Sequence, residues 1–317
     1  MTSHKRLFDT LDILVKQIAK ISVLNSQAGL MNGKIGIAIL LYQYGRYRNN
    51  SEMTEYADNL MEFYSQEIES GIKFGFDNGL YGIVWSIHYL IKQRFIQADE
   101  DIFDEIDAVI FRESHNASSL FNLGIEAEKG LYVWSRYISN TSTTENKWRQ
   151  HIENCIKRFH KIVISKYTNY TLPVLPCRTL IRFFHVCQTL WINDLFRHEI
   201  FMLYEELLEI VKISYKEEKS ISEKYILATL LREIPMFDRY IFIGDIPQML
   251  TLTDVNNFYL TQWILGRKIS IPKVVNKTIL SITKNHQQIN GLLDLLDSDN
   301  VGLGNDVGGL AWAIKKL

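Results

Sequence analysis

Leu7, Leu11, Leu14, Val15, Ile18 and Ile21 fall three or four positions apart along a stretch that is otherwise largely polar, the spacing of a helix that buries one stripe. That helix is predicted to end near Asn25. Over residues 37–44 apolar side chains fall on nearly every side, as expected for a helix enclosed all round. A one-sided outer helix followed by an enclosed inner one is therefore the unit, and the alternation continues. Residues 46–54 read as a polar turn. Met53, Ala57, Leu60, Met61 and Tyr64 mark the second outer helix and residues 83–96 the second inner one. Ile102, Phe103, Ile106, Val109 and Ile110 mark the third outer helix, and residues 131–138 its inner partner.

Residues 139–146 are rich in Ser, Thr and Asn and are expected to form an exposed loop. Trp148, Ile152, Cys155, Phe159 and Val163 then carry a long outer helix. Beyond the prolines at 173 and 176, residues 178–191 and 223–231 read as inner helices with 196–213 as the outer helix between them. A short sixth outer helix is expected within 234–247, where Pro235, Gly244 and Pro247 interrupt the pattern. Residues 257–265 are the sixth inner helix, 274–284 the seventh outer one, and 309–317 close the chain. The best strand candidate, residues 240–243, is only four residues long. The expected class is all-α, with fourteen helices in seven pairs.

A short glycine motif phases these pairs. Gly29-Leu30-Met31-Asn32-Gly33-Lys34-Ile35-Gly36 precedes the first inner helix, Gly79-Leu80-Tyr81-Gly82 the second, and Ala127-Glu128-Lys129-Gly130 the third, while Gly302-Leu303-Gly304-Asn305-Asp306-Val307-Gly308-Gly309 precedes the last. The final glycines of successive copies lie 46, 48 and 179 residues apart, and the last interval holds about four periods of ~45 residues. Glycine at a helix entry permits tight turns and close backbone approach. A valine at Gly82 or Gly309 should therefore clash, whereas Gly45, near the end of an inner helix, is expected to accept alanine. An open HEAT-like array has an overlapping period of ~40–47 residues, but it would leave one face of each enclosed helix wet. A closed ring with parallel inner helices, their glycine-bearing N-termini at one rim, is the expected arrangement.

Composition narrows the function. The hydrophobic share of 47% and aromatic share of 12% supply a large core, and 35 basic against 36 acidic residues leave no overall field that favours nucleic acid or an anionic membrane. No run of ~18 apolar residues exists, so membrane insertion is not expected. The three cysteines, Cys155, Cys177 and Cys187, are odd in number and irregularly spaced, which suits free thiols in a reducing, cytoplasmic compartment.

Catalytic signatures are sparse. His185 and Cys187 are two apart, about 200° around a helix, and Cys177 precedes His185 by roughly two turns, so these groups do not assemble as ligands of one ion. Neither metal nor another cofactor is expected. Glu126 and Glu128 flank Ala127, and i, i+2 positions do not face each other. As acids in a first helical turn they would favour the helix N-terminus, whereas a glycosidase would need two acids ~5 to 9.5 Å apart across a sugar. Asp77, Asn78, Asn305 and Asp306 suit helix caps. Trp85, Trp134 and Trp312 recur three or four residues after the anchor glycine and read as packing ridges. No phosphate loop, nucleophile elbow or HExxH motif is present. On a ring of parallel inner helices, Asp77, Asn78, Glu126, Glu128, Arg178, Asn305 and Asp306, with Asn32 and Lys34, would converge on one rim as a mixed-charge groove for a peptide.

The motif series resembles the lanthionine synthetase C-like (LanC-like) family, whose repeats carry Gly-Leu-x-x-Gly-x-x-Gly ahead of the inner helices of a seven-fold α/α toroid. The likeness is specific in the first, second and last copies and looser in the third. It rests on count and period elsewhere and spans residues 1–317 as one domain. It implies a zinc ion that activates a substrate thiolate for addition to a dehydrated serine or threonine, held by a Cys in Trp-Cys-x-Gly and a later Cys-His pair. Neither motif is present: Ile156 follows Cys155, Arg178 follows Cys177, Gln188 follows Cys187, and no cysteine lies beyond Cys187. The acidic residue that the family tends to carry ahead of its third motif corresponds to Leu123. The resemblance therefore implies a member of a lanthipeptide-type maturation pathway that binds a precursor peptide or a peptide-modifying enzyme without zinc-dependent cyclisation. The alternative is an active peptide cyclase or another α/α-barrel enzyme, for example a carbohydrate-active one, working through other residues of a central funnel.

Overall fold

The alternation of one-sided and enclosed apolar stretches is realised as α-helices. The computed structural model describes residues 3–67, 73–98, 103–112, 120–137, 145–167, 174–234, 237, 250–266, 272–294, 302–303 and 306–316. Among these there are fourteen α-helices and no strand. In chain order they are α1 (Ser3–Ser22), α2 (Lys34–Arg48), α3 (Ser51–Glu67), α4 (Leu80–Lys92), α5 (Asp104–Arg112), α6 (Leu120–Tyr137), α7 (Glu145–Tyr167), α8 (Cys177–Ile192), α9 (Arg197–Glu217), α10 (Ile221–Leu231), α11 (Leu252–Ile264), α12 (Lys273–Lys284), α13 (His286–Asp294) and α14 (Asp306–Lys316). None of them is long and apolar enough to cross a membrane. The helices fall into two compact units, Met1–Gln97 with Pro247–Leu317, and Ala98–Ile246.

In the first unit α2 is buried without interruption from Lys34 to Gly45, whereas α1 buries the stripe Leu7, Leu11, Leu14, Val15 and Ile18. This is the inner and outer distinction that the sequence pattern predicts. α2 packs on its outer partner α3, on α1 and on the next inner helix α4. The last helix, α14, packs on α11, on α1 and on α2, so the two ends of the chain meet within this unit. Neighbouring inner helices run parallel: Leu30 just ahead of α2 and then Gln43 within it meet Gly82 and then Tyr89 on α4, and Gly309 and then Trp312 on α14 meet Asn256 and then Trp263 on α11.

The second unit repeats the scheme. α6 packs on its outer partner α7 and on α8, and α8 packs on α9 and on α10. Gly124 faces Thr179 while Glu128, one turn later, pairs with Arg182 one turn on. Arg178 and then Gln188 on α8 reach Glu223 and then Leu230 on α10. Contacts that ascend together in both helices make α6, α8 and α10 parallel neighbours.

Local signals explain several boundaries. Ser220 opens α10 by accepting the N–H of Glu223 at 3.3 Å, and Thr251 opens α11 by accepting the N–H of Asp254 at 3.1 Å, both side-chain caps of the usual kind. α11 therefore starts at Leu252, five residues before the predicted 257. The third motif copy departs from expectation. Glu126, Glu128 and Gly130 lie inside α6, which begins at Leu120, rather than at a helix entry before residue 131. Nothing comes within 4 Å of where a Cβ would sit on Gly130, so this glycine answers no steric demand, and the Glu, Ala and Lys before it favour a continuous helix. Gly45 is the reverse case. A Cβ there would lie 2.6 Å from Thr54 Oγ1 and 3.0 Å from Asn50 O, because α3 begins only three residues after α2 ends. Helix α13 was not expected, and it buries Ile289. The strand candidate at 240–243, most of the sixth outer helix and residues 139–144 lie outside the described residues.

Candidate functional site

The glycine motif builds one shape twice, 46 residues apart. Lys34 and Leu80, the first residues of α2 and α4, donate their N–H groups to Gln27 O at 2.8 Å and to Lys73 O at 3.0 Å. A Cβ on Gly36 would lie 1.8 Å from Leu30 O, and one on Gly82 would lie 1.7 Å from Phe76 O. The second copy thus begins at Gly75 and places Asp77 and Asn78 where the first has Met31 and Asn32. Anchoring on Gly79-Leu80 alone concealed that half of the copy, since Phe76 stands in for Leu30.

Consecutive copies interlock. Met31 donates its N–H to Asp77 O at 2.7 Å, and Asn32 donates its N–H to Asn78 Oδ1 at 3.1 Å. Asn25 Nδ2 donates to Asn32 O at 3.0 Å. A Cβ on Gly29 would sit 2.5 Å from Asn78 Cα, and one on Gly302 would sit 2.6 Å from Asn32 Cα. Gly82 faces Leu30 and Gly36 faces Leu303, each with 3.3 Å between the added Cβ and the leucine side chain. The last copy therefore meets the first as the first meets the second. Asp77 is half-buried, Asn78 exposed and Lys34 buried. Asp306 opens α14, but its side chain and the whole of Asn305 lie outside the described residues.

The charged candidates of the second unit are engaged by partners on other helices. Glu126, 3% exposed, lies 3.6 Å from Arg158 on α7, and its Oε2 is buried without a hydrogen-bond partner. Glu128 pairs with Arg182, and Arg178 pairs with Glu223 at 2.8 Å. Burial raises the Glu223 carboxyl and Arg178 opposes that shift. Instead of greeting the N-terminus of a helix, the two glutamates sit beyond the first turn of α6 and are answered by arginines. Arg178 stands near the start of α8, where it was expected. Sequence reasoning missed Arg158, Arg182 and Glu223, because their pairing becomes visible only once the neighbouring helices are known.

All three cysteines are buried. Burial pushes the Cys155 thiol up to about 12, with Glu126 adding to the effect. Cys187 is pushed well up by burial, and Cys177 is raised by burial and then by Glu218 and Glu223. Among the described residues no group of three or more His, Cys, Asp or Glu side chains is placed to hold a metal ion. A zinc ion of the kind the resemblance implies needs three or four such donors together, and none of the three cysteines belongs to such a group among the described residues.

The tryptophans pack. Trp263 of α11 meets Trp85 of α4 at 5.1 Å edge-on and Trp312 of α14 at 4.6 Å, while Tyr89 stacks on Trp85 at 5.6 Å and accepts from Gln43 of α2. This cluster ties four inner helices of the first unit together. Trp134 stacks on Tyr137 in the second unit.

Comparison of the chain with protein-family models, with curated proteins and with solved structures found no match.

Proposed function

We propose that the chain is a seven-fold α/α toroid of LanC-like type that binds a precursor peptide, or an enzyme that modifies it, in a lanthipeptide-type maturation pathway, without zinc-dependent cyclisation. The observation that carries this reading is the repeated interlock, Gly302 against Asn32 and Gly29 against Asn78. The same contact joins consecutive copies and the two ends of the chain, as a closed ring requires. What supports the second half of the reading is that none of Cys155, Cys177 and Cys187 gathers with two further His, Cys, Asp or Glu donors among the described residues, where an activating zinc needs three. The peptide-facing set retained from the sequence is Asp77, Asn78, Asn305 and Asp306. Glu126, Glu128 and Arg178 serve instead to join helices.

The test begins with the neighbouring genes, which should include a small precursor peptide or a dehydratase. The linear precursor is then titrated into the protein, purified without chelator, at low and high salt. Binding that weakens with salt and with the Asp77→Ala/Asn305→Ala variant is expected, with no loss of free thiol from dehydrated peptide. Thiol loss accompanied by about one bound zinc per chain would establish the active cyclase instead.

A further inference from the structure

We propose that the second unit carries a separate site for a neutral aromatic molecule of two or three rings, at the junction of α8 and α9. A cavity of about 500 Å³ lies there, walled by Trp191, Ile192, Phe201, Tyr204 and Ile234. That volume falls within the range of small-molecule pockets and is roughly three times the ~150 Å³ apolar cavity that holds benzene. Gln188, Glu233 and the Tyr204 hydroxyl bring polar groups to the lining; the Gln188 amide N–H is engaged by Leu230 O, and the Tyr204 hydroxyl is buried without a hydrogen-bond partner. An apolar chamber with so few polar contacts favours a ligand whose surface is mostly hydrocarbon.

The walls are held from behind. Tyr204 stacks on Trp191 with 6.5 Å between ring centres and is backed by Phe184 at 5.4 Å and Phe237 at 5.8 Å. Arg197 covers Trp191, with its guanidinium 5.7 Å from the ring centre and its Nε donating to Trp191 O. Such a wall needs little ordering when a ligand arrives, which favours binding. At the mouth, Ile192 is 69% and Phe201 44% exposed. Exposed apolar side chains gathered at one concavity mark a contact site better than the same residues scattered. The turn joining the two walls holds two non-glycine residues in the left-handed region, Asp194 at φ 59 and Phe196 at φ 54, a conformation that persists only where its surroundings impose it.

The shape favours a small molecule over a peptide. Two of the walls are short stretches of helix, 188–192 and 201–204. Each is about one turn, or ~5–6 Å along the axis, shorter than two residues of extended chain.

The probe is N-phenyl-1-naphthylamine, a neutral three-ring amine whose fluorescence rises in apolar surroundings. Saturable binding of one probe per chain is expected, weakened about tenfold or more by Ile192→Trp, which fills the mouth, and by Phe201→Ala, which removes a wall. Both positions are exposed enough to be changed without unfolding the unit, and unchanged melting curves would verify this. Failure of the wild type to saturate at one probe per chain would overturn the proposal, as would equal binding by both variants. Displacement of the probe by the linear precursor peptide would overturn the choice of a small molecule. None of these readouts depends on the rim of the first unit.

Discussion

The backbone N–H of Asn32 donates to Asn78 Oδ1 at 3.1 Å, and the two asparagines occupy the same place, 46 residues apart, in consecutive copies of one motif. Gly29 leaves room for that contact, and Gly302 leaves room for its counterpart at Asn32. Each glycine lies against backbone, which cannot swing aside as a side-chain tip can. Gly29→Ala and Gly302→Ala should therefore destabilise the protein by similar amounts, about 1–3 kcal/mol as for other overpacked sites, read as shifts in the urea midpoint. A neutral Gly302→Ala beside a costly Gly29→Ala would show that the two junctions are not equivalent.

Within helices the glycines divide by what lies beside them. Gly82→Ala brings a Cβ to within 1.7 Å of Phe76 O, whereas the same atom on Gly130 meets nothing within 4 Å. Gly130→Ala should stabilise by about 0.5–1 kcal/mol, the usual gain from replacing glycine inside a helix, and Gly82→Ala should lower the melting temperature. Gly45→Ala should lower it too, because Thr54 and Asn50 close over that position. A destabilising Gly130→Ala would restore the third copy to the structural role that its sequence suggests.

The enclosed and one-sided helices were legible because burial imposes a period, and α1 and α2 differ in period at a glance. The first and last motif copies were legible because the steric need for glycine is local. The third copy was misread because an idle glycine and a close-packed one are the same letter, and only the neighbours of Gly130 distinguish them. Glu126, Glu128 and Arg178 were legible as charged residues, but their partners come from other helices, up to 54 residues away for Glu128 and Arg182. No spacing rule reaches across such a distance. Helix α13 escaped because its stretch is largely polar and buries little beyond Ile289.

The cross-helix ion pairs differ in depth, and that difference is measurable. Arg182 and Glu128 keep 6% and 19% of their side-chain surface exposed, against 44% and 11% for Arg178 and Glu223. Removing one member of a buried pair strands the other, at about 3–5 kcal/mol, whereas exposed pairs contribute about 0–1 kcal/mol. Both arginine-to-alanine changes strand a largely buried glutamate, but Arg182→Ala also removes a guanidinium and stem that are themselves packed in the interior, so it should lower stability more than Arg178→Ala, whose side chain is 44% exposed. Equal urea midpoints for the two variants would reject this ranking.

The buried thiols predict how the fold fails in alkali. An unfolded cysteine titrates near 8.5, while in the folded chain burial holds Cys155 up to about 12 and raises Cys177 and Cys187 as well. Below pH ~8.5 both states keep these protons and stability is intact. Between there and the folded value the unfolded chain sheds protons that the folded chain retains, so stability falls as pH rises, by up to about 1.4 kcal/mol per pH unit for each thiol. Tyr132 and Tyr204, also raised by burial, add to the slope above about pH 10. Against a typical total of about 5–15 kcal/mol, three such thiols should bring alkaline unfolding within a few pH units of 8.5. Native protein at pH 8 should leave a thiol reagent unreacted, and denaturant should release all three cysteines. The Cys155→Ala/Cys187→Ala variant should begin less stable, because two core side chains are cut back, yet lose stability more slowly between pH 9 and 11. Rapid labelling of the native protein, or an alkaline slope that the double variant leaves unchanged, would show that these thiols are not held neutral by the core.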